Sequence, residues 1–259
     1  KCTFCSWTTL YPTYRARDPK DVVDEIGDLI ERYGVREIMD DTGSLPAGAW
    51  LKIFCEEMIA RGYHKRVRID CNMRFGCLDE AAYRLMRKAG FRLVLFGLES
   101  ANQATLDRLV KALTVAQIEE GARLASRAGL DVHVTVMFGY PWEGEREIAN
   151  TVSLARRLLR KGYAYTLQVT MVVPYPGTPL FRELDQAGLL LTREWDEYDM
   201  RRQVMTSGVP EESIKAAVRQ VYKAFLHPET IVRRIFSTRD PLADLAFYWR
   251  GFLSVAGHL

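Results

Sequence analysis

Short apolar runs alternate along this chain with longer stretches of helical periodicity, and this alternation constrains the fold more than any other feature. The apolar runs are rich in Val, Ile, Leu and Phe and nearly continuous, as expected of strands covered on both faces. They predict five strands, at residues 35–41, 66–71, 92–98, 132–138 and 166–173. Apolar residues at three- and four-residue spacing predict helices, at 18–33, 47–60, 79–89, 103–110, 115–128 and 145–160. Such alternation is typical of right-handed βαβ units and predicts a parallel sheet.

Polar, aromatic or turn-forming residues follow every predicted strand. In a parallel sheet the carboxyl ends of the strands share one edge, and active sites collect there. In chain order the residues at these exits are Asp40, Asp41 and Thr42; Arg74; Glu99 and Ser100; Phe138 and Gly139; and Tyr175 and Pro176. We expect them to surround one cavity. Three aromatic residues near these exits or the chain start, Trp7, Tyr140 and Trp142, either line that cavity or pack beneath the loops.

Cys2 and Cys5 form a Cys-x-x-Cys pair, which by itself leaves three kinds of site open. Such a pair can be a redox couple, half of a zinc site, or two ligands of an iron–sulfur cluster. A redox couple normally opens a helix, and the residues from Trp7 to Pro12 are not typical of a helix start. The four histidines are scattered, which disfavours zinc. An odd count of five cysteines disfavours a disulfide framework and favours reduced thiols in the cytoplasm.

Composition excludes several classes of protein. A formal net charge of +3, from 36 basic and 33 acidic residues, gives no broad basic face for nucleic acid. No apolar run approaches the roughly 20 residues that span a bilayer. After Leu190 the strand–helix alternation stops, and helices are predicted at 211–226, 228–236 and 241–255. We therefore expect a core at 1–190 and a helical extension at 191–259.

The order of these motifs resembles the radical S-adenosylmethionine (SAM) superfamily, over about the first 190 residues. Cys2-Thr3-Phe4-Cys5 is similar to the second half of that family's signature, a Cys, three residues, a Cys, two residues and a Cys. On this resemblance the first cysteine, the third ligand of a [4Fe–4S] cluster, is expected before Lys1. The chain would then begin inside the cluster-binding loop. The other segments carrying the resemblance are 36–42, 96–100, 134–143 and 173–180.

The resemblance implies that Cys2 and Cys5 ligate the cluster and gives each strand exit a role in binding SAM. Asp40, Asp41 and Thr42 would contact the amino group, Arg74 the carboxylate, Glu99 and Ser100 the ribose or methionine part, Phe138 and Gly139 the adenine, and Tyr175 and Pro176 the adenine edge. Each segment also has a structural interpretation. The aspartates can cap a turn, Glu99 can interact with a helix dipole, and Arg74 can pair with a surface carboxylate. Catalytic residues that act on the substrate are not identified.

The fold implied is a partial (β/α)6 TIM-like barrel that lacks its first strand. The function implied is reductive cleavage of SAM to a 5′-deoxyadenosyl radical, with electrons from a donor such as flavodoxin or ferredoxin. The amino-acid sequences of the motifs are most like those of the branch associated with cobalamin-binding domains, whose members methylate, cyclise or rearrange small molecules. Cobalamin would then be bound by an upstream domain. Alternatives are a methylthiotransferase and a non-catalytic iron–sulfur or metal-binding module that retains the fold. A sugar-phosphate barrel is disfavoured because 174–180 contains only Gly177, and a phosphate loop is rich in glycine.

Overall fold

A five-stranded parallel sheet forms the centre of the protein. The computed structural model describes residues 2–237 and Trp249. The strands are β1 (Glu37–Asp40), β2 (Arg68–Met73), β3 (Phe91–Glu99), β4 (Asp131–Phe138) and β5 (Thr166–Met171). They lie side by side in chain order, and every pairing is parallel. The α/β fold, the five predicted strands and their parallel order are confirmed.

Ten helices are present in the part of the chain that the structure describes. They are α1 (Trp7–Leu10), α2 (Pro19–Tyr33), α3 (Ala49–Ala60), α4 (Glu80–Lys88), α5 (Gln103–Arg108), α6 (Val115–Arg127), α7 (Glu145–Arg160), α8 (Pro179–Gln186), α9 (Glu211–Lys223) and α10 (Pro228–Ser237). Short 3₁₀ turns occur at Tyr63–Lys65, Trp195–Glu197 and Ala224–Leu226. The helix predicted at 241–255 lies outside the described residues.

Two helices correct the sequence interpretation. The expectation that no helix starts at Trp7 is wrong, because Thr9 N and Leu10 N both donate to Ser6 O and close a single turn, α1. Helix α8 was not predicted, although the sequence carries its start signal. The Thr178 hydroxyl accepts from Phe181 N, and Pro179 occupies the first helical position, where its missing N–H costs nothing.

The main hydrophobic core extends from α2 to α9. In α2 the start is set by Asp18, whose side chain accepts from Lys20 N, and the end by Gly34 at φ 63°. In α9, Ile214 is completely buried in the same core as the strands. Val169 N of β5 donates to the hydroxyl of Tyr222 at 3.2 Å. Helix α9 therefore covers β5, although it belongs to the predicted extension; the division at residue 190 stays a prediction.

A second apolar cluster lies beyond the carboxyl ends of the strands and supports the candidate site. Its buried members are Leu109, Tyr140, Val172, Leu180, Leu184 and Met205. Phe4, from the Cys-x-x-Cys segment, packs against it. The start of the chain is thereby held over the functional edge of the sheet. None of the described helices has the length and apolar character needed to span a membrane.

Candidate functional site

The Cys-x-x-Cys segment, called the cysteine loop (residues 2–5), lies across the carboxyl edge of the sheet. Thr3 N donates to Leu109 O at 3.0 Å, and Leu180 N donates to Thr3 O at 2.9 Å. Leu109 follows β3 and Leu180 follows β5. The loop is therefore tied to the exits of two strands, and Cys2 and Cys5 are held at the edge where the predicted site residues end.

Helix α1, which follows the cysteine loop, contacts the segments after β5 and after β1. The hydroxyl of Thr9 donates to Gly177 O at 3.1 Å. The Trp7 ring lies beside Gly43, where an added Cβ would be 3.5 Å from it. Trp7 is 41% exposed and packs against Tyr11, with ring centroids 4.8 Å apart. Trp7 therefore lies on the rim of this edge and is not part of the core.

The five thiols fall into three groups by burial: two are half-buried, two are buried and one is exposed. Cys2 and Cys5 are half-buried, and Cys5 N donates to Cys2 O at 3.2 Å, which closes a turn. Cys55 and Cys71 are completely buried, and burial raises the pKa of Cys55 to about 12. The thiol of Cys77, which follows β2, donates to a backbone carbonyl at 2.8 Å. No three His, Cys, Asp or Glu side chains among residues 2–237 come together as a metal site, so the loop supplies two ligands at most.

Glu99 ends β3 in an unusual backbone conformation. The β3–β4 register shifts between Gly97 and Glu99, and Glu99 has φ 63°, a region that non-glycine residues rarely adopt. Glu99 as a whole residue is 6% exposed, and its Oε1 accepts from Lys111 Nζ at 2.5 Å. A Cβ on Gly97 would lie 2.1 Å from this Oε1 and 2.6 Å from Nζ. Gly97 thus provides the space in which the ion pair forms.

Lys111 is a site residue that sequence reasoning missed. Its two neighbours also have positive φ, 55° at Val110 and 49° at Ala112. Four non-glycine residues in the described part of the chain have positive φ, and three of them lie here. Strained backbone of this kind clusters at functional sites. Arg74 Nη2 donates to Lys111 O at 2.6 Å and supports this turn; the expected contact of Arg74 with a ligand carboxylate stays a prediction.

Ser100 lies at the site, but its hydroxyl is directed into a buried network. It donates to Glu143 Oε1 at 2.6 Å, and the Thr105 hydroxyl donates to the same oxygen at 2.6 Å. Burial raises the pKa of Glu143. Its Oε2 has no hydrogen-bond partner within the described residues. The network links the exit of β3 to that of β4. Glu143 was not predicted as a site residue, and the only signal for it in the sequence is its position shortly after Gly139.

In the turn after β1, Asp40 caps the backbone as the structural interpretation predicts, whereas Asp41 does not. Asp40 Oδ1 accepts from Thr42 N at 3.0 Å and from the Thr42 hydroxyl. Asn72, from β2, donates to Thr42 O at 2.8 Å. Asp41 and Thr42 are exposed. The turn is therefore preformed. The exposed Asp41 carboxylate lies at the edge, where its Oδ1 accepts from Asn72 Nδ2 at 3.4 Å.

At the exits of β4 and β5, some residues are buried and pack in the interior, whereas others are half-buried or exposed. Phe138 and Tyr140 are completely buried, so the ring of Tyr140 packs under the loops and does not line a cavity. Its hydroxyl has no partner within residues 2–237. Trp142 is half-buried and stacks on Tyr140, with ring centroids 5.2 Å apart. Gly139 has φ 103°, which favours glycine, and Tyr175 is half-buried beside the exposed Pro176.

The predicted site residues thus end or follow their strands at the same edge of the sheet, because all the strands run in the same direction; that they form one binding site stays a prediction. The chain matches the family model described as "Radical SAM superfamily" over residues 1–155. It is 31% identical to the anaerobic magnesium-protoporphyrin IX monomethyl ester cyclase of Cereibacter sphaeroides, over 87% of this chain and 38% of that protein. It is 28% identical to an uncharacterised methyltransferase of Pyrococcus horikoshii, over 98% of this chain and 54% of that protein.

The structure is also similar to that of the radical S-adenosylmethionine methyltransferase TsrM from Kitasatospora setae, determined with cobalamin and a [4Fe–4S] cluster bound. The TM-score is 0.66 at 18% identity, and the match covers 86% of this chain and 49% of that chain. At this identity the similarity establishes the fold. The chain spans about half or less of the length of these relatives.

Proposed function

This chain belongs to the radical SAM superfamily, and from that membership we propose that it carries the SAM-binding site of an enzyme that cleaves SAM reductively beside a [4Fe–4S] cluster. When bound, the cluster supplies the electron that splits the sulfonium to methionine and a 5′-deoxyadenosyl radical, which then takes a hydrogen atom from a substrate. Everything else required of the protein is binding, orientation and exclusion of water.

The donor set of the cysteine loop fits this cluster. Cys2 and Cys5 are free, half-buried and held by a closed turn. Cysteine thiolates are the usual ligands of iron–sulfur clusters. Since no further cysteine of the described residues joins them, the third thiolate of a three-cysteine site would have to be supplied by a residue outside 2–237. Phe4 of this loop packs on the apolar cluster that contains Tyr140. The Tyr140 hydroxyl is buried and has no hydrogen-bond partner among residues 2–237.

One observation carries the assignment of the SAM site. Glu99 is buried beside the cysteine loop, and its Oε1 is held by Lys111, whereas its Oε2 accepts no hydrogen bond from any described residue. A carboxylate with one fixed and one available oxygen suits the ribose hydroxyls or ammonium group of SAM, which are hydrogen-bond donors. Charge-assisted bonds of this kind are among the stronger ones in proteins.

The remaining strand exits complete the proposed site. Asp41 and the Asp40–Thr42 turn supply acceptors for the SAM ammonium group. The backbone at Gly139 and the segment of Tyr175 and Pro176 would contact the adenine. Ser100 acts in this site through Glu143, to which its hydroxyl donates. Arg74 supports the Lys111 backbone with Nη2 alone, and the rest of the guanidinium of this exposed residue would contact the SAM carboxylate.

We propose a small molecule as the substrate and methylation or cyclisation as the reaction. The names of the relatives support this: one is a cyclase acting on a magnesium-protoporphyrin ester and one a methyltransferase. Cobalamin, bound in the structure of TsrM, would be held here by a region outside these residues. A reduced flavodoxin or ferredoxin would supply the electron, and the free thiols support a reducing, cytoplasmic setting.

The experiment is Glu99→Gln in the full-length protein after anaerobic reconstitution of the cluster. Loss of a charge-assisted hydrogen bond costs about 1.5–3 kcal/mol, so we expect the Kd for SAM to rise about 10- to 150-fold. The matched control is Glu211→Gln, because Glu211 pairs with Lys215 at 2.7 Å on α9 and is not a proposed SAM ligand. If the Kd and the rate of 5′-deoxyadenosine formation both stayed at wild-type values, Glu99 would not be part of the SAM site.

A further inference from the structure

The turn that follows α5, residues 109–112, has a backbone that its own residues do not favour. Val110 has φ 55° and Ala112 has φ 49°. Neither is a glycine or an asparagine, and Val is β-branched, so both conformations are unfavourable unless the surroundings impose them. We call this segment the Lys111 turn.

Hydrogen bonds from three directions impose this conformation. Lys111 N donates to Leu106 O of α5 at 3.0 Å. Arg74, which follows β2, donates to Lys111 O at 2.6 Å. Thr3 N of the cysteine loop donates to Leu109 O at 3.0 Å. The Lys111 turn is therefore the point where α5, the exit of β2 and the cysteine loop meet.

The turn directs its one charged side chain, that of Lys111, at the carboxylate of Glu99, which is proposed to bind SAM. Lys111 Nζ donates to Glu99 Oε1, and the two side chains are 11% and 8% exposed. Nζ also lies 6.0 Å from the centroid of the Phe4 ring, between Cys2 and Cys5 in sequence. Gly97 leaves the space for this contact. A buried ammonium group in this position fixes the rotation of the carboxylate and leaves its Oε2 for another donor.

We propose that Lys111 is a positioning residue of the SAM site: it orients the carboxylate of Glu99 toward the ligand and joins that carboxylate to the cysteine loop. The inference rests on the proposed function, in which Glu99 contacts SAM. Two other roles make different predictions. If Lys111 only neutralised a buried charge, its loss would lower stability alone. If Lys111 occupied the place of the SAM ammonium group, its loss would tighten SAM binding.

The first measurement is the Kd for SAM of the cluster-loaded, full-length protein, by equilibrium dialysis without reductant. We expect Lys111→Met, which keeps the aliphatic stem, to raise the Kd about tenfold, equivalent to about 1.4 kcal/mol. Lys111→Arg, which keeps the charge, should restore it to within about threefold of wild type. The control Lys215→Met removes an ammonium group paired with Glu211 on α9 and should leave the Kd unchanged.

The second measurement is a double-mutant cycle with Glu99→Gln, with thermal unfolding recorded for each variant. If Lys111 acts through Glu99, Glu99→Gln/Lys111→Met should bind SAM no more weakly than Glu99→Gln alone. Additive losses would overturn the inference, as would a lower Kd for Lys111→Met or an unchanged Kd with a lower Tm. If Glu99→Gln alone left the Kd unchanged, the assignment of Glu99 under the proposed function would be the part that fails.

Discussion

Gly97→Ala tests the site with a single methyl group. Gly97 lies in β3 two residues before Glu99, and an added Cβ would lie 2.1 Å from Glu99 Oε1 and 2.6 Å from Lys111 Nζ. Side-chain contacts of a Cβ below 3.0 Å are essentially never observed. The carboxylate oxygen would therefore have to retreat by about 0.9 Å, which moves it away from the position proposed to face SAM.

The size of the effect follows from burial. Both partners of the ion pair are about nine-tenths buried, so little solvent screens the pair. Adding a methyl group to a packed interior costs about 1–3 kcal/mol. Taking the middle of that range, we expect about 2 kcal/mol, which lowers the Tm of a chain of this size by about 4–8 °C. Displacement of the carboxylate should raise the Kd for SAM by about tenfold or more.

The assay combines thermal unfolding with SAM binding, and Gly34→Ala provides the comparison. Gly34 ends α2 at φ 63° with no atom within 4 Å of an added Cβ, so its substitution strains the backbone without touching the site. That variant should lose about 1 kcal/mol of stability and bind SAM normally. If Gly97→Ala bound SAM as tightly as Gly34→Ala does, the carboxylate would not be the contact that we infer.

Two further predictions concern the thiols and a buried acid. In the full-length protein, Cys5→Ser should abolish uptake of about four irons per chain on reconstitution, whereas Cys77→Ser should retain it; equal iron content in the two variants would exclude the cysteine loop as the cluster site. Burial raises the pKa of Glu143 in the folded protein, so the folded state holds this proton more tightly than the unfolded chain. The contribution of this proton to the free energy of unfolding is complete below the ordinary carboxyl pKa. It is lost as the pH rises through the raised pKa of the folded protein. Glu143→Gln should therefore show a smaller fall in Tm than wild type between about pH 4.5 and 7; parallel curves for the two proteins would contradict this.

The strands and the edge at which the site lies could be predicted because their signals are local. A continuous run such as the one that forms β4 indicates a buried strand, and the Asp18–Pro19 pair with Gly34 marks both ends of α2. Once the strands are parallel, the residues that follow them must meet at one edge. That step alone brought Asp41 and Glu99 into the same region.

The parts that were missed depend on tertiary contacts. Nothing in Val110-Lys111-Ala112 indicates a left-handed turn, because none of these residues favours one, and the turn exists through its contacts with Arg74 and the cysteine loop. Likewise, the hydroxyl of Ser100 could be assigned to Glu143 only when β3 and β4 were placed side by side. Local periodicity carries no information on such pairings.

The sequential order of the strands also bears on how the protein is made. Each strand is added at the edge of the preceding one, so the sheet can grow while the chain leaves the ribosome. The cysteine loop emerges before all of them, yet Gly177, the partner of Thr9, comes 168 residues later. At ordinary rates of translation this delay is about 10–30 s. During that interval Cys2 and Cys5 lack the anchors that follow β5, so the cysteine loop makes its final contacts only after the last strand has joined the sheet and Leu180 has bound the loop.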